Sequence, residues 1–325
     1  MTRVNTVNDP VSLMLSAISD EIGTTPNTIR LVLGVLGMLL LATSLVKKNN
    51  SHLPIIAASG WVLLGIFIYL QSPYYVKIED YVLVLMTASA LPGGILLAYL
   101  EIKEEYRNQS LIWFRGMVAW AMIPYYLVYL VPHLNVAFVL LTAHSAELML
   151  EFVGLGSYSI GDVMVSLEDG GEVPLSEWSG SMWILTQPLG DGGFYVPMYY
   201  SNGEEVNISF ILSCSGLQSM IIFVGAICAL DSVPWNRRIR GLLISIPTIY
   251  LLNTFRNAGI VWLTETYPQW SLFKLNMFDF AHSYAAKGVS LFAMFLMAIA
   301  LFDLLPELHK NIMKLIPKKL SPTKD

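Results

Sequence analysis

Apolar residues in this chain fall into long, nearly unbroken runs separated by short polar breaks. The runs lie near residues 30–46, 53–71, 80–100, 110–131, 134–154, 208–230, 241–264 and 281–305. A bilayer core of ~30 Å needs ~20 apolar residues in a helix. In hydrocarbon every backbone amide must be paired inside the segment, so helices are the expected spans. The first run is short for a span, and the fourth and fifth are parted only by Pro132-His133, as a tight hairpin or one broken helix. Residues 11–22 suit a short amphipathic surface helix or a solvated tail. The segment 155–207 differs: Asp162–Leu167 has strand character, Glu168-Asp169-Gly170-Gly171 reads as a turn, and Gly192-Gly193 precedes a strand-like Phe194-Tyr195-Val196. The pattern predicts an all-α membrane protein, a polytopic bundle of about eight transmembrane helices with a small external segment of β character. Its expected parts are an N-terminal segment 1–29, helices in 30–154, an acidic aromatic cap or loop at 155–207, helices in 208–305 and a basic tail 306–325.

Composition agrees. Of 325 residues, 55% are hydrophobic and 13% charged, against about 25% charged in soluble domains. A net charge of −5 gives no basis for nucleic-acid binding. Two cysteines, Cys214 and Cys228, make neither a disulfide framework nor a zinc set, so no metal or cofactor is expected. Cys228 reads as packing. Arg237, Arg238 and Arg240, and the tail lysines Lys310, Lys314, Lys318, Lys319 and Lys324, place their segments in the cytoplasm by the positive-inside rule. Both termini then face the cytoplasm and 155–207, with eight acidic and no basic residues, faces outward. Lys47-Lys48 runs against this orientation, while Asn-x-Ser sequons at Asn49, Asn108 and Asn207 all fall outside.

That orientation selects among the intramembrane polar groups, each of which is costly and marks a site by default. Ser215-x-x-Gln218 has capping-box spacing, which would set Cys214 at the outer, anion-favouring end of the sixth helix. Arg256 lies about 22 Å along the seventh helix from Gly241, in its outer third, and His282 opens the eighth. A thiol, a permanent cation and an imidazole thus reach one depth. The thiolate would be a nucleophile, Arg256 would hold the thiolate or an oxyanion, and His282 would move the proton. Asp279 either orients His282 or is a first-turn acid. His144, Glu147 and Glu151 share a face of the fifth span, as a polar seam or a metal or proton site; Arg115 reads as structural.

At Ser213-Cys214-Ser215-Gly216-Leu217-Gln218-Ser219-Met220, at Pro247 through Asn257, and at Ala281 through Leu291, the chain resembles the archaeosortase/exosortase family. The resemblance covers roughly the final third. It implies a cysteine transpeptidase that cleaves a C-terminal sorting signal, a Pro-Gly-Phe-type motif followed by a membrane helix and a basic tail. The processed secreted or surface protein would pass to a membrane phospholipid. Cys214 and Arg256 match the family's catalytic Cys and Arg; the third position falls at His282, with Lys287 the alternative, and Lys287, Asp279, Ser215, Gln218 and Asn253 stand in supporting places. Small faces such as Gly34/Gly37 or Gly60 could receive the substrate's helix. Two other readings remain at this point: a transporter or binding protein with a polar path, and an intramembrane thiol protease without transfer.

Overall fold

The computed structural model describes residues 10–46, 52–103, 109–272 and 275–315. Lys47-Lys48, the sequons at Asn49 and Asn108, and Lys318, Lys319 and Lys324 lie outside them. The chain forms two compact units, one of the described residues up to Ala119 and from Lys310 onward, the other Trp120–His309.

The first unit contains α1 (Pro10–Ile22), α2 (Pro26–Val46), α3 (Leu53–Tyr69), α4 (Ser72–Lys77), α5 (Tyr81–Lys103) and the start of α6 (Gln109–Leu130). Glycine lets α2, α3 and α5 approach closely. A Cβ on Gly60 would stand 3.0 Å from the Gly37 carbonyl oxygen, and one on Gly94 would stand 2.6 Å from that of Trp61. Gly37 and Gly60 therefore pack against each other's helices and present no free docking face, contrary to expectation. Arg115 and Glu101 form a fully buried ion pair at 3.3 Å; Arg115 also donates to Ser44 Oγ at 3.1 Å and the Trp61 indole to Glu101 at 3.1 Å. Removing one partner of a buried pair strands the other charge, which costs about 3–5 kcal/mol. Glu101→Ala should therefore lower the unfolding temperature in detergent sharply, and Glu101→Leu/Arg115→Leu should recover much of the loss. Equal melting of the double and single variants would refute this account.

In the second unit, Pro132 ends α6. The residue before a proline is driven out of the helical region, and Val131 has φ −105° and ψ 100°. A new helix, α7 (Pro132–Phe152), starts there. Five antiparallel strands follow: β1 (Tyr158–Ile160), β2 (Met164–Leu167), β3 (Glu172–Pro174), β4 (Leu189–Tyr200) and β5 (Glu205–Ile211). β4 is central, with β1 and β2 paired to it on one edge and β5 on the other. Along β5 the residues alternate, burying Val206, Ile208 and Phe210 and exposing Asn207, the period of two that one buried sheet face requires. That face meets Val139, Ala143, Ala146 and Leu150 of α7 in one apolar core with Ala258 and Val261.

Beyond the sheet come α8 (Leu217–Cys228), α9 (Trp235–Thr266), the two-residue strands β6 (Ser271–Leu272) and β7 (Leu275–Asn276), then α10 (Met277–Phe280), a π-helical turn at Ala281–Ala285, α11 (Ala286–Leu304) and α12 (Pro306–Leu315). Buried Arg238 donates to the carbonyls of Cys228 (2.8 Å) and Val233 (2.7 Å), closing the α8–α9 corner. At the other end of α9, Tyr200 donates to Glu265. That bond, with burial second, pushes the tyrosine up to about 12.

The protein is thus a multi-pass helical membrane protein with a small sheet. Among the described residues six helices are long and apolar enough to cross a bilayer. The expected span at 208–230 is instead strand to Ile211, a 3-10 turn and a 12-residue helix, about 18 Å long. The seventh run lies in the 32-residue α9, which the arginines and asparagines make too polar to count among those six.

Candidate active site

Cys214 lies where the sheet hands the chain to the helices. β5 ends at Ile211, Leu212–Ser215 make the 3-10 turn, and Gly216 caps α8 with φ 72°. The Ser215–Gln218 capping box does not form. With Gly216 as N-cap, Gln218 is the second helical residue, whereas the box needs a side chain at the third. The Gln218 side chain instead shares a cleft wall with Tyr125 of α6. Ser215 still serves locally: fully buried, it donates to the Leu212 carbonyl (2.7 Å) and accepts from the Leu217 amide (3.1 Å).

α9 fixes the turn from the side. Asn253 and Asn257, one helical turn apart, both donate to the Cys214 carbonyl, at 2.8 and 2.9 Å. A carbonyl oxygen has two lone pairs, so this one is saturated and its residue is held in one orientation. Between the two asparagines in sequence stands Arg256, whose guanidinium acts electrostatically on the Cys214 thiol and lies 3.4 Å from Asn257 Oδ1. The thiol belongs to the turn, outside the candidate spans. Burial pushes it up from its ordinary value; a backbone hydrogen bond at Ile211, the Arg256 charge and Ser213 pull the other way. Arg256 also lines an otherwise largely apolar cleft among α8, α9 and α11, with Gly216, Leu252, Ser290 and Ala293.

The third position stands at the start of the last long helix. Asn276 caps α10 by accepting from the Asp279 amide at 2.8 Å, which leaves Asp279 as an acid in a first helical turn. The His282 ring stacks on Phe278, 5.5 Å between centroids and 6° from parallel. Phe278 packs against the apolar cluster that also takes Cys214. The Ala286 amide reaches the Ala281 carbonyl, five residues back. His282 is the second residue of this wide turn, and Lys287 follows in the first turn of α11. π-bulges of this kind recur at functional sites.

Residues 26–301 match the family model described as transmembrane exosortase (Exosortase_EpsH). The chain belongs to the transmembrane exosortase family. One stretch of 73 residues is 41% identical to archaeosortase A of Haloferax volcanii; it covers 22% of this chain and 24% of that protein, so the match spans about a quarter of the relative's length. No solved structure matches. The matched range takes in the exosortase sheet and the whole Cys214 surround, and begins far ahead of the final third where the motifs lie.

The other polar triplet expected from the sequence lies on α7. His144 and Glu147 pair at 3.1 Å with the histidine side chain 58% exposed, and Glu151 is exposed too. Among the described residues no group of three or more His, Cys, Asp or Glu is arranged to hold a metal. Asn257 and Tyr125 were not singled out from sequence as site residues. The four-residue spacing of Asn253 and Asn257 within an apolar helix was a usable signal for the first. Nothing local pointed to Tyr125.

Proposed function

We propose that this exosortase is a cysteine transpeptidase acting on C-terminal sorting signals of secreted or surface proteins. The observation that carries the reading is the double anchoring of the Cys214 carbonyl by Asn253 and Asn257 beside the Arg256 charge. A nucleophile needs a fixed position and a cation to favour its thiolate. The Cys214 sulfur attacks the scissile carbonyl carbon, the oxyanion forms against Arg256, and the C–N bond breaks as His282 or Lys287 passes a proton to the leaving amine. An amine-bearing phospholipid headgroup then attacks the thioester carbonyl and gives a proton back to the same His282 or Lys287, the C–S bond breaks and the thiolate returns. A site at the outer face of the cell membrane, with both termini cytoplasmic, follows from the loop charges.

Mass spectrometry of the processed C-terminus tests the transfer. A lipid-linked product supports it; a free carboxylate alone supports the hydrolytic reading. Arg256→Ala should lower kcat/KM by about 10²–10³-fold, the usual cost of losing one oxyanion donor, with partial recovery in Arg256→Lys. The same variant should shift the pH of half-maximal Cys214 alkylation upward, because a lost cation disfavours the thiolate. An unchanged alkylation profile would remove Arg256 from the mechanism. Of His282→Ala and Lys287→Ala, the one whose loss matches that of Cys214→Ala identifies the proton carrier.

A further inference from the structure

A second cleft opens on the other side of the Cys214 turn, within the same unit. Its walls are Leu212, Ser213 and Gln218 from the turn and α8, Tyr125 and Tyr129 from α6, Asn135 from α7, and the glycine-rich start of β4. The loop ahead of β4 is sewn to the α6–α7 corner: the Leu185 amide donates to the Leu130 carbonyl (2.8 Å) and the His133 amide to that of Met182 (3.0 Å). The cleft is therefore built from the turn, α6, α7, α8 and β4.

Three features specify a ligand. Asn135 is 93% buried by its 7% exposure, and its Oδ1 has no hydrogen-bond partner among the described residues. A buried acceptor left open in this way calls for an N–H donor. No Lys, Arg, Asp or Glu lines the cleft, which suits a neutral ligand and not a phosphate, whose recognition needs cations. On the edge that β5 occupies, the last pair is Tyr195 with Ile211, so among the described residues Leu189–Phe194 runs on past the end of β5 without a strand partner on that edge. Gly192 and Gly193, with φ 93° and 63°, turn the backbone there, and with Gly190 they leave side chains in that stretch only on Leu189, Asp191 and Phe194, the aspartate exposed.

We propose that this cleft binds the sorting-signal peptide on the acyl side of the scissile bond, extended along the overhang of β4, with a peptide N–H on Asn135 and an apolar or ring side chain on Tyr129. Strand addition to an exposed edge is a common way to hold a peptide. Here the added strand would continue the line of β5, and β5 is the strand that turns into Cys214. The scissile carbonyl thus arrives beside the thiol, and the Arg256 cleft is left for what departs or what accepts. The inference rests on the transpeptidase reading.

The test uses the full chain in detergent, carrying Cys214→Ala, and a synthetic Pro-Gly-Phe-type signal peptide with a benzophenone residue just before the motif. Crosslinks to 125–135 and 185–193 are expected. Asn135→Leu should weaken peptide binding about tenfold, one hydrogen bond's worth, and Asn135→Asp, which keeps an acceptor oxygen, should restore part of it. With Cys214 retained, neither change should alter the rate of thiol alkylation, which a general disturbance of the fold would. Tyr129→Ala, at a 42% exposed position, should weaken binding without unfolding. Crosslinks confined to 249–256 and 289–294, or unchanged affinity in Asn135→Leu, overturn the proposal and leave the enzyme standing. A peptide crosslinked in this cleft but never cleaved by the intact chain supports the cleft and sinks the transpeptidase. A peptide neither bound nor cleaved overturns both.

Discussion

Cys214→Ala is expected to abolish processing while leaving the protein inserted and folded. Covalent catalysis splits one difficult acyl transfer into two easier steps, and alanine removes the atom on which both depend. Loss of a nucleophile from a hydrogen-bonded catalytic group costs about 10⁶-fold in well-studied cases. A fall beyond about 10⁴-fold is the expectation here, since binding and Arg256 would still give a residual rate. Cys214 is only half-buried, and its anchors to Asn253 and Asn257 run through the backbone carbonyl, which alanine keeps. The melting temperature should therefore barely move. Cys228→Ala is the control: that thiol is buried, its carbonyl is taken by Arg238, and its loss should affect stability and not turnover. The measurement is the ratio of unprocessed to processed substrate by mass. Processing of more than a percent in Cys214→Ala would assign the chemistry to another group.

Gly216→Ala is expected to slow turnover as well, though it touches no reacting atom. Gly216 holds φ 72°, where an L side chain costs about 1–2 kcal/mol. A Cβ there would also stand 2.8 Å from Asn253 Cγ and 3.0 Å from its Cβ. The least costly relief is to push the Asn253 side chain aside, which breaks its bond to the Cys214 carbonyl. A misplacement near 1 Å at a reacting centre costs about 10²-fold, so kcat/KM should fall by that order with a smaller loss of stability. Because both changes act through one bond, Gly216→Ala and Asn253→Ala should not add; the double variant should be little worse than the worse single. Additive losses would show that Gly216 acts by another route.

How much of this was readable beforehand depends on the range over which each feature is decided. Seven of the eight apolar runs became helical close to where length and hydropathy put them, and the β character of 155–207 became a real sheet. The sixth run misled. Ile208, Phe210 and Ile211 are apolar because alternate residues of β5 face a core, yet in one dimension they are continuous with the apolar start of α8. A run of apolar residues does not reveal where a period of two gives way to a helical one. The capping box failed for a related reason: Gly216 shifted the helix start by one residue, which is enough to undo a motif defined by spacing. The small-residue faces at Gly37 and Gly60 were recognised as contact faces but given the wrong partner, since a glycine shows that something comes close without showing what.

By itself the sequence determined what depends on composition and local order. Its apolar lengths require a membrane, its loop charges prefer one orientation, and its Cys, Arg and His or Lys carry the motifs of the final third. Only the tertiary structure decided the relations between distant residues. Asn253 and Asn257 meet Cys214 across some forty positions of chain, Glu101 meets Arg115 between two helices, and Asn135 faces the glycines of β4 across a cleft. Such pairs are set by how helices and a sheet close upon one another, so no window of neighbouring residues contains them.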